Sequence, residues 1–262
     1  MTTSKAIVDG DSILFRAAAN VDTLVQAYDK YQNILEEYTK ASWCEESIVF
    51  IEGPGNWRRD IFEYYKANRT SAKQDEKASE IRFDLSMYLE DSKLVIKAFG
   101  MESDDLVGRY AQKCMDRGKD YVVISADKDL DCIPGVHYRP NQWGQAKTYS
   151  VTEDEAKYNY LYQLLIGDGI DNIKSPKGLG PKAAQGILKG PLETWEDKVE
   201  AAYKERCGSH WLEALTFTGS LTHIQRYKDE MFNWRGNGTW KDLGFSGIPK
   251  SYTYTDKQLG KA

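Results

Sequence analysis

Ten carboxylates, spread from residue 9 to residue 171, fall where strand ends and turns can gather them. Asp9 and Asp11 stand in AIVDGDS, Glu52 closes IVFIEG, and Glu102, Asp104 and Asp105 lie in ESDD. Asp127 and Asp129 follow the apolar run VVIS in SADKDLD, and Asp168 and Asp171 sit in GDGIDN. Like charges converge on one site only if cations neutralise them. An all-carboxylate pocket suits hard divalent ions such as Mg²⁺ or Mn²⁺ rather than zinc. The chemistry implied is metal-dependent phosphoryl transfer or phosphodiester cleavage. Each group also has a plainer reading, since Asp-Gly is a common turn pair and acids favour a helix N-terminus. Three acids crowded into one first turn repel one another, which that plainer reading does not explain.

The elements that must position these acids alternate. Residues 5–8 predict a buried strand ending at Asp9, and 47–51 a second strand closed by Gly53-Pro54-Gly55. Residues 93–98 and 120–125 predict two more strands. Helical spacing runs over 12–40, 79–90 and 103–117, with Ser103 as the expected N-cap. This is the pattern of an α/β fold, a mostly parallel central sheet flanked by helices. Ligands of such sheets bind beyond the carboxyl ends of the strands, where Asp9, Glu52 and Asp127 lie. From residue 152 the pattern turns helical, with Thr152 and Glu155 at capping-box spacing. The division expected is 1–150 as a metal-binding core and 151–262 as a helical nucleic-acid-binding region. The stretch 66–80 is polar and reads as a mobile loop or exposed helix, and the chain after Pro249 reads as a fraying tail.

Composition narrows the class. At 262 residues, 41% hydrophobic and 29% charged, the chain builds a real core. It shows neither an apolar run long enough to span a membrane nor a signal peptide's apolar stretch. Cys44, Cys114, Cys132 and Cys207 form no Cys-x-x-Cys pair, as expected of reduced thiols in a cytoplasmic protein. The net charge of −5 argues at first against a nucleic-acid partner. Setting aside the ten acids leaves a positive remainder, so the charge balance decides little.

Two further motifs point to nucleic acid. GLGPKAAQGIL, 178–188, fits the hairpin of a helix–hairpin–helix element at about 168–190. Gly178 and Gly180 permit a tight turn whose N–H groups face phosphate oxygens, and Pro181 suits a first helical turn. Lys177 and Lys182 add phosphate charge complementarity. A packing corner is the alternative. The segment NWRRDIFEYYKANR, 56–69, interleaves Trp57, Tyr64 and Tyr65 with Arg58, Arg59, Lys66 and Arg69. Aromatics stack on unpaired bases while cations hold phosphates, and Lys66 and Arg69 are the stronger candidates. An amphipathic helix with a solvated basic face would give the same pattern. No P-loop and no Gly-x-Ser-x-Gly elbow is present.

The succession IVDGD, YKANR, ESDD, ISADKDLD, GDGIDN and GLGPKAA resembles the flap-endonuclease family of 5′-nucleases, and most of all its phage gene-six-type 5′→3′ exonucleases. The resemblance spans about residues 5 to 190. It implies a PIN-like 5′-nuclease core, two Mg²⁺ ions replaceable by Mn²⁺, and a K⁺ at the hairpin. Asp9, Glu102, Asp104, Asp127 and Asp129 match the principal metal ligands, and Asp105, Asp168 and Asp171 the outer carboxylates. Glu52 stands where the family usually has Asp, and Gln163 where several relatives carry a basic residue. Lys66 and Arg69 match the basic pair that contacts the scissile phosphate. Gly178, Gly180 and Lys182 match the hairpin that grips a duplex, with Arg58, Tyr65 and Lys177 as further DNA contacts. The implied substrates are DNA with 5′ ends, gaps or flaps, and RNA–DNA hybrids. The implied setting is phage replication, primer removal or recombination, with replication proteins as partners.

Two rivals remain from the residues alone. DGDS after a strand also fits the Asp-x-Asp motif of haloacid-dehalogenase-like phosphatases, but that leaves ESDD and GLGPK unexplained. A non-catalytic, structure-specific DNA-binding protein would have no use for an intact carboxylate set.

Overall fold

The computed structural model describes residues 4–67, 75–140 and 146–259, without the side chains of residues 256 and 257. The described residues form a six-stranded sheet from β1 (Lys5–Asp9), β2 (Glu46–Glu52), β3 (Ile96–Ala98), β4 (Tyr121–Ile124), β5 (Gly135–Arg139) and β6 (Lys147–Val151). The strand order is β3-β2-β1-β4-β5-β6, parallel except where β6 runs antiparallel to β5. The expected α/β class holds. The hairpin of β5 and β6 goes beyond the four predicted strands, and the third of those strands shortens to three residues.

The helices are α1 (Asp11–Ala18), α2 (Leu24–Ala41), α3 (Arg58–Ile61), α4 (Glu76–Asp91), α5 (Ser103–Asp116), α6 (Glu153–Ile166), α7 (Pro181–Ile187), α8 (Trp195–Cys207) and α9 (Trp211–Thr222). The helical periodicity expected over 12–40 breaks into α1 and α2. Asn20 takes a left-handed φ of +56°, and the Thr23 hydroxyl caps α2 by accepting from the Gln26 N–H at 3.3 Å. Ser103 is not the cap of α5. Glu102 is, in a capping box in which its side chain takes the Asp105 N–H and the Asp105 side chain takes the Glu102 N–H.

The chain divides into two interleaved compact units. The first holds Met1–Gly55, Ser71–Glu153 and Ile224–Lys228, and the second Asn56–Thr70, Asp154–His223 and Asp229–Ala262. Within the first, Ala6, Val8, Ile13, Tyr31, Val49, Ile51 and Leu85 build the core on one face of the sheet, where α1, α2 and α4 pack. Ile7, Phe50, Val107, Ala111 and Val123 build the other, under α5. The alternation of Ile7 against Ala6 and Val8 is the period of a strand buried on both faces. The second unit is helical, with Phe62, Tyr65, Leu164, Tyr203, Phe217 and Tyr252 in its core. Tyr252 lies in the segment expected to fray. It is buried, and its hydroxyl meets that of Thr218 at 2.7 Å. Among the described residues no helix is long and apolar enough to cross a membrane, and the four cysteines are free thiols.

Candidate metal and nucleic-acid site

Register explains why the first unit gathers its acids. Asp9 ends β1 beside Phe50 of β2, and Val8 pairs with Ile124 of β4, so Asp9, Glu52 and Ser125 leave the sheet at the same edge. Gly10 turns the chain there into α1. A Cβ at Gly10 would lie 2.6 Å from Val49 Cγ1 and 2.9 Å from the Phe50 carbonyl oxygen, so close approach to β2 demands glycine.

From that edge a chain of hydrogen bonds runs across four segments. The Asp11 carboxylate accepts the Glu52 N–H at 3.1 Å and the Ser103 hydroxyl at 2.8 Å. The Ser103 N–H donates to Glu52 Oε2 at 3.3 Å. Ser125 donates its hydroxyl to Asp9 at 2.8 Å and accepts the Asp127 N–H at 2.9 Å. Asp127 in turn accepts the Asp129 N–H at 2.8 Å, which shapes the 3₁₀ turn Asp129–Cys132. Asp131 in that turn accepts from Arg139 at 2.7 Å and from the Tyr149 hydroxyl at 2.6 Å, pinning it to β5 and β6. Ser125 escaped the sequence reading and Ser103 entered it only as a helix cap, although each lies inside a motif it singled out.

Burial raises the Asp9 carboxyl to about 7, with Asp11 and Asp127 adding to the rise against a hydrogen bond from Ser125. Burial also lifts the Cys132 thiol to about 12, and the charges of Asp129, Asp104 and Asp131 reinforce that effect. In charge and donor type this all-oxygen set fits hard divalent cations, whose charge would relieve the strain on Asp9. The side chains shown are turned onto N–H and O–H donors. Among the described residues no three of them converge as a closed coordination set. Asp9, Glu52, Glu102, Asp104, Asp127 and Asp129 are the residues that would hold the ions.

Asp105 requires a correction. It is fully buried, Oδ2 accepts the Glu102 N–H at 3.2 Å, and Oδ1 accepts the Gln225 N–H at 3.0 Å. Both oxygens serve the backbone, so the carboxylate fixes the turn instead of ligating.

The second unit carries Asp168, Asp171, Lys66 and the hairpin. Asp168 Oδ1 accepts the N–H groups of Ile170 at 2.7 Å and Asp171 at 3.2 Å, closing the GDGIDN loop. Lys66 Nζ stands 3.8 Å from Asp171 Oδ2, and the Lys66 N–H donates to the Asp171 carbonyl at 2.9 Å. Arg69 lies outside the described residues, as do 68–74 of the polar stretch.

Arg58 and Tyr65, expected as DNA contacts, are corrected. Arg58 is 1% exposed and donates to the carbonyls of Leu221 at 3.1 Å and His223 at 2.5 Å. A guanidinium so placed joins α3 to the end of α9 and meets no solvent. Tyr65 is 2% exposed in the helical core, its hydroxyl 3.4 Å from Asp171. In the hairpin, Gly178 has φ +84° and needs glycine, whereas Gly180 is extended at φ −101° and caps α7 with Pro181 at its start. Of the two glycines expected to permit the turn, Gly178 alone uses a conformation that requires glycine. Lys177 and Lys182 are exposed.

Residues 4–159 match the family described as "5′-3′ exonuclease, N-terminal resolvase-like domain". The chain is 28% identical to DNA polymerase I of Rhizobium leguminosarum over 158 residues, 56% of this chain and 15% of that one. It is 29% identical to the 5′-3′ exonuclease of Buchnera aphidicola over 150 residues, 54% of this chain and 51% of that one. The chain thus spans well under two thirds of these relatives. The fold is shared with the bacteriophage T5 flap endonuclease in complex with DNA and metal ions. That likeness has a TM-score of 0.64 at 19% identity, covering 84% of this chain and 89% of that one.

Proposed function

Because the chain belongs to the 5′-3′ exonuclease family through its N-terminal resolvase-like domain, we propose that it hydrolyses phosphodiester bonds of DNA from 5′ ends, as a divalent-metal-dependent 5′→3′ exonuclease and structure-specific 5′-nuclease. The observation that carries the reading is the acid edge of the sheet, where burial and neighbouring carboxylates hold Asp9 near 7 in the absence of counter-charge. When bound, Mg²⁺ or Mn²⁺ supplies that counter-charge and makes water attack on the phosphate feasible. The protein's own part is positional. Ser125 and Ser103 orient Asp9 and Asp11, and the Asp105 buckle fixes the turn that presents Glu102 and Asp104. Asp168 and Asp171 are proposed outer carboxylates, and Lys66 and Arg69 the cations that stabilise phosphate charge. Gly178, Lys177 and Lys182 are proposed to hold duplex backbone in a helix–hairpin–helix, with K⁺ as a further ligand of the hairpin. RNA in hybrids is a proposed second substrate, and primer removal, recombination or phage replication the setting.

Product analysis on 5′-labelled and 3′-labelled duplex, gapped and flapped DNA tests this. Label is expected to leave the 5′ end first, with Mg²⁺ and not with EDTA. Asp104→Ala and Asp127→Ala should each abolish cleavage while duplex binding persists. Degradation from the 3′ end, or cleavage in EDTA, would overturn the reading.

A further inference from the structure

Residues Ile224–Lys228 belong to the first unit although the chain on either side of them belongs to the second. They lie far beyond the family match, which ends at residue 159. Two contacts tie them to the two acid-bearing turns, and two more tie them to α5. The Gln225 N–H donates to Asp105 Oδ1 at 3.0 Å. The Tyr227 carbonyl accepts from Arg109 Nε of α5 at 3.1 Å. Arg226 donates to the Cys132 carbonyl at 3.3 Å, at the end of the 3₁₀ turn that begins with Asp129. Ile224 is buried in the core under α5 with Val107 and Ala111. Gly108 of α5 leaves the room for this. A Cβ there would lie 2.5 Å from the Gln225 carbonyl oxygen and 2.8 Å from Ile224 Cγ2.

We propose that residues 224–228 are a positioning strap, which through Asp105 on one side and Cys132 on the other fixes the Glu102–Asp105 turn and the Asp129–Cys132 turn relative to each other. Gln225, Arg226 and Gly108 are then positioning residues, acting on reacting groups only through those turns. Groups that orient ligand-bearing side chains typically affect activity by about 10–100-fold. The inference rests on the proposed nuclease reading only where cleavage is measured.

The test compares Gly108→Ala, which lifts the strap without changing a charge, with Lys113→Gly, which destabilises the same helix at an exposed position. Amide hydrogen exchange in divalent-free protein reads the turns directly. Gly108→Ala should speed exchange at Glu102–Asp105 and at Asp129–Cys132 by about tenfold or more, and Lys113→Gly should not, at a similar loss of Tm. On 5′-flapped DNA, Gly108→Ala should lower kcat by about 10–100-fold with KM unchanged. Should Gly108→Ala fail to fold, Arg226→Met takes its place, and Arg226→Lys, which keeps a donor for Cys132, should restore slow exchange. Unchanged exchange at the two turns, or equal increases in Gly108→Ala and Lys113→Gly, overturns the strap. A wild-type protein that cleaves nothing sinks the nuclease reading and leaves the exchange comparison to judge the strap by itself.

Discussion

Burial, then the carboxylates of Asp11 and Asp127, push the Asp9 carboxyl up to about 7, against an ordinary value of 3.8. Between those values the folded protein keeps a proton that the unfolded chain has released. Divalent-free stability contributed by this group is therefore full below about pH 4 and is lost as pH rises through about 7. Asp9→Asn removes the penalty, so the variant should melt higher than wild type in EDTA at neutral pH, by roughly 2–4 °C per kcal/mol relieved. It should also abolish cleavage. Melts in EDTA from pH 4 to 8 check this, and a Tm gap between the two proteins that stays constant across the window sinks the assignment. Lys66 invites a second substitution. Its φ of +61° is costly for a residue with a Cβ and is held by its N–H bond to the Asp171 carbonyl. Lys66→Ala should lower kcat by about 10²–10³ and barely alter KM, as loss of a preorganised charge donor does. A raised KM with normal kcat would instead make Lys66 a general phosphate contact. At this scale most of the acids were legible because they follow an apolar strand or open a helix, whereas Asp168 and Asp171 lie in the loop between α6 and α7. The roles of Ser125 and Ser103 were not legible, since a hydroxyl that orients one carboxylate has no characteristic spacing. Arg58 and Tyr65 were misread because an arginine satisfied by two buried carbonyls carries the same local sequence as one awaiting a phosphate.

Among the elements, the hairpin before α7 carries the next expectation. Gly178 is left-handed and Gly180 is not, so the conformational test belongs to Gly178. Gly178→Val should weaken binding to a long duplex, while Gly180→Ala, whose Cβ would meet nothing within 4 Å, should leave it near wild type. Lys182→Glu should weaken binding and lower the log–log salt slope by about 1, the loss of one phosphate contact. An unchanged affinity and slope in Lys182→Glu would identify the segment as a packing corner. β1, β2 and β4 were readable as apolar runs buried on both faces. β5 was not, because GVHYR inverts the usual signal. Val136 is 37% exposed while the His137 imidazole is buried and bonded to the Ile133 carbonyl at 2.8 Å. β3 was overread for the opposite reason. Leu94 and Phe99 are apolar yet exposed and lie outside the pairing, which is confined to Ile96–Ala98. A helical period also runs through the α1–α2 break, where only Asn20 and the Thr23 cap mark the interruption.

Across the whole molecule, linear order hides the organisation. Asn56–Thr70 joins the helical unit from within the stretch of chain that supplies the sheet, and Ile224–Lys228 joins the sheet unit from within the helical stretch. Periodicity reports local burial, not which unit a segment completes, so no window of sequence could reveal this exchange. Charge is the property that the whole chain does expose to reading. The net charge is −5, and it turns positive once the ten motif acids are neutralised. Without divalent ions those acids repel a phosphate backbone, against the attraction of basic residues such as Lys177 and Lys182. Occupied by cations they would cease to repel, and the remaining basic surface would dominate. Duplex affinity should therefore rise on replacing EDTA by Ca²⁺ at constant ionic strength, by more than an equal ionic strength of K⁺ produces. Asp9→Asn, with one acid fewer to neutralise and a weaker claim on cations, should bind DNA more tightly than wild type in EDTA and gain less from Ca²⁺. Fluorescence anisotropy of a labelled 5′-flapped duplex measures both. Equal wild-type affinities in EDTA and Ca²⁺ would show that the acid edge does not face the bound backbone, and the proposed placement of substrate would have to move away from β1 and β4.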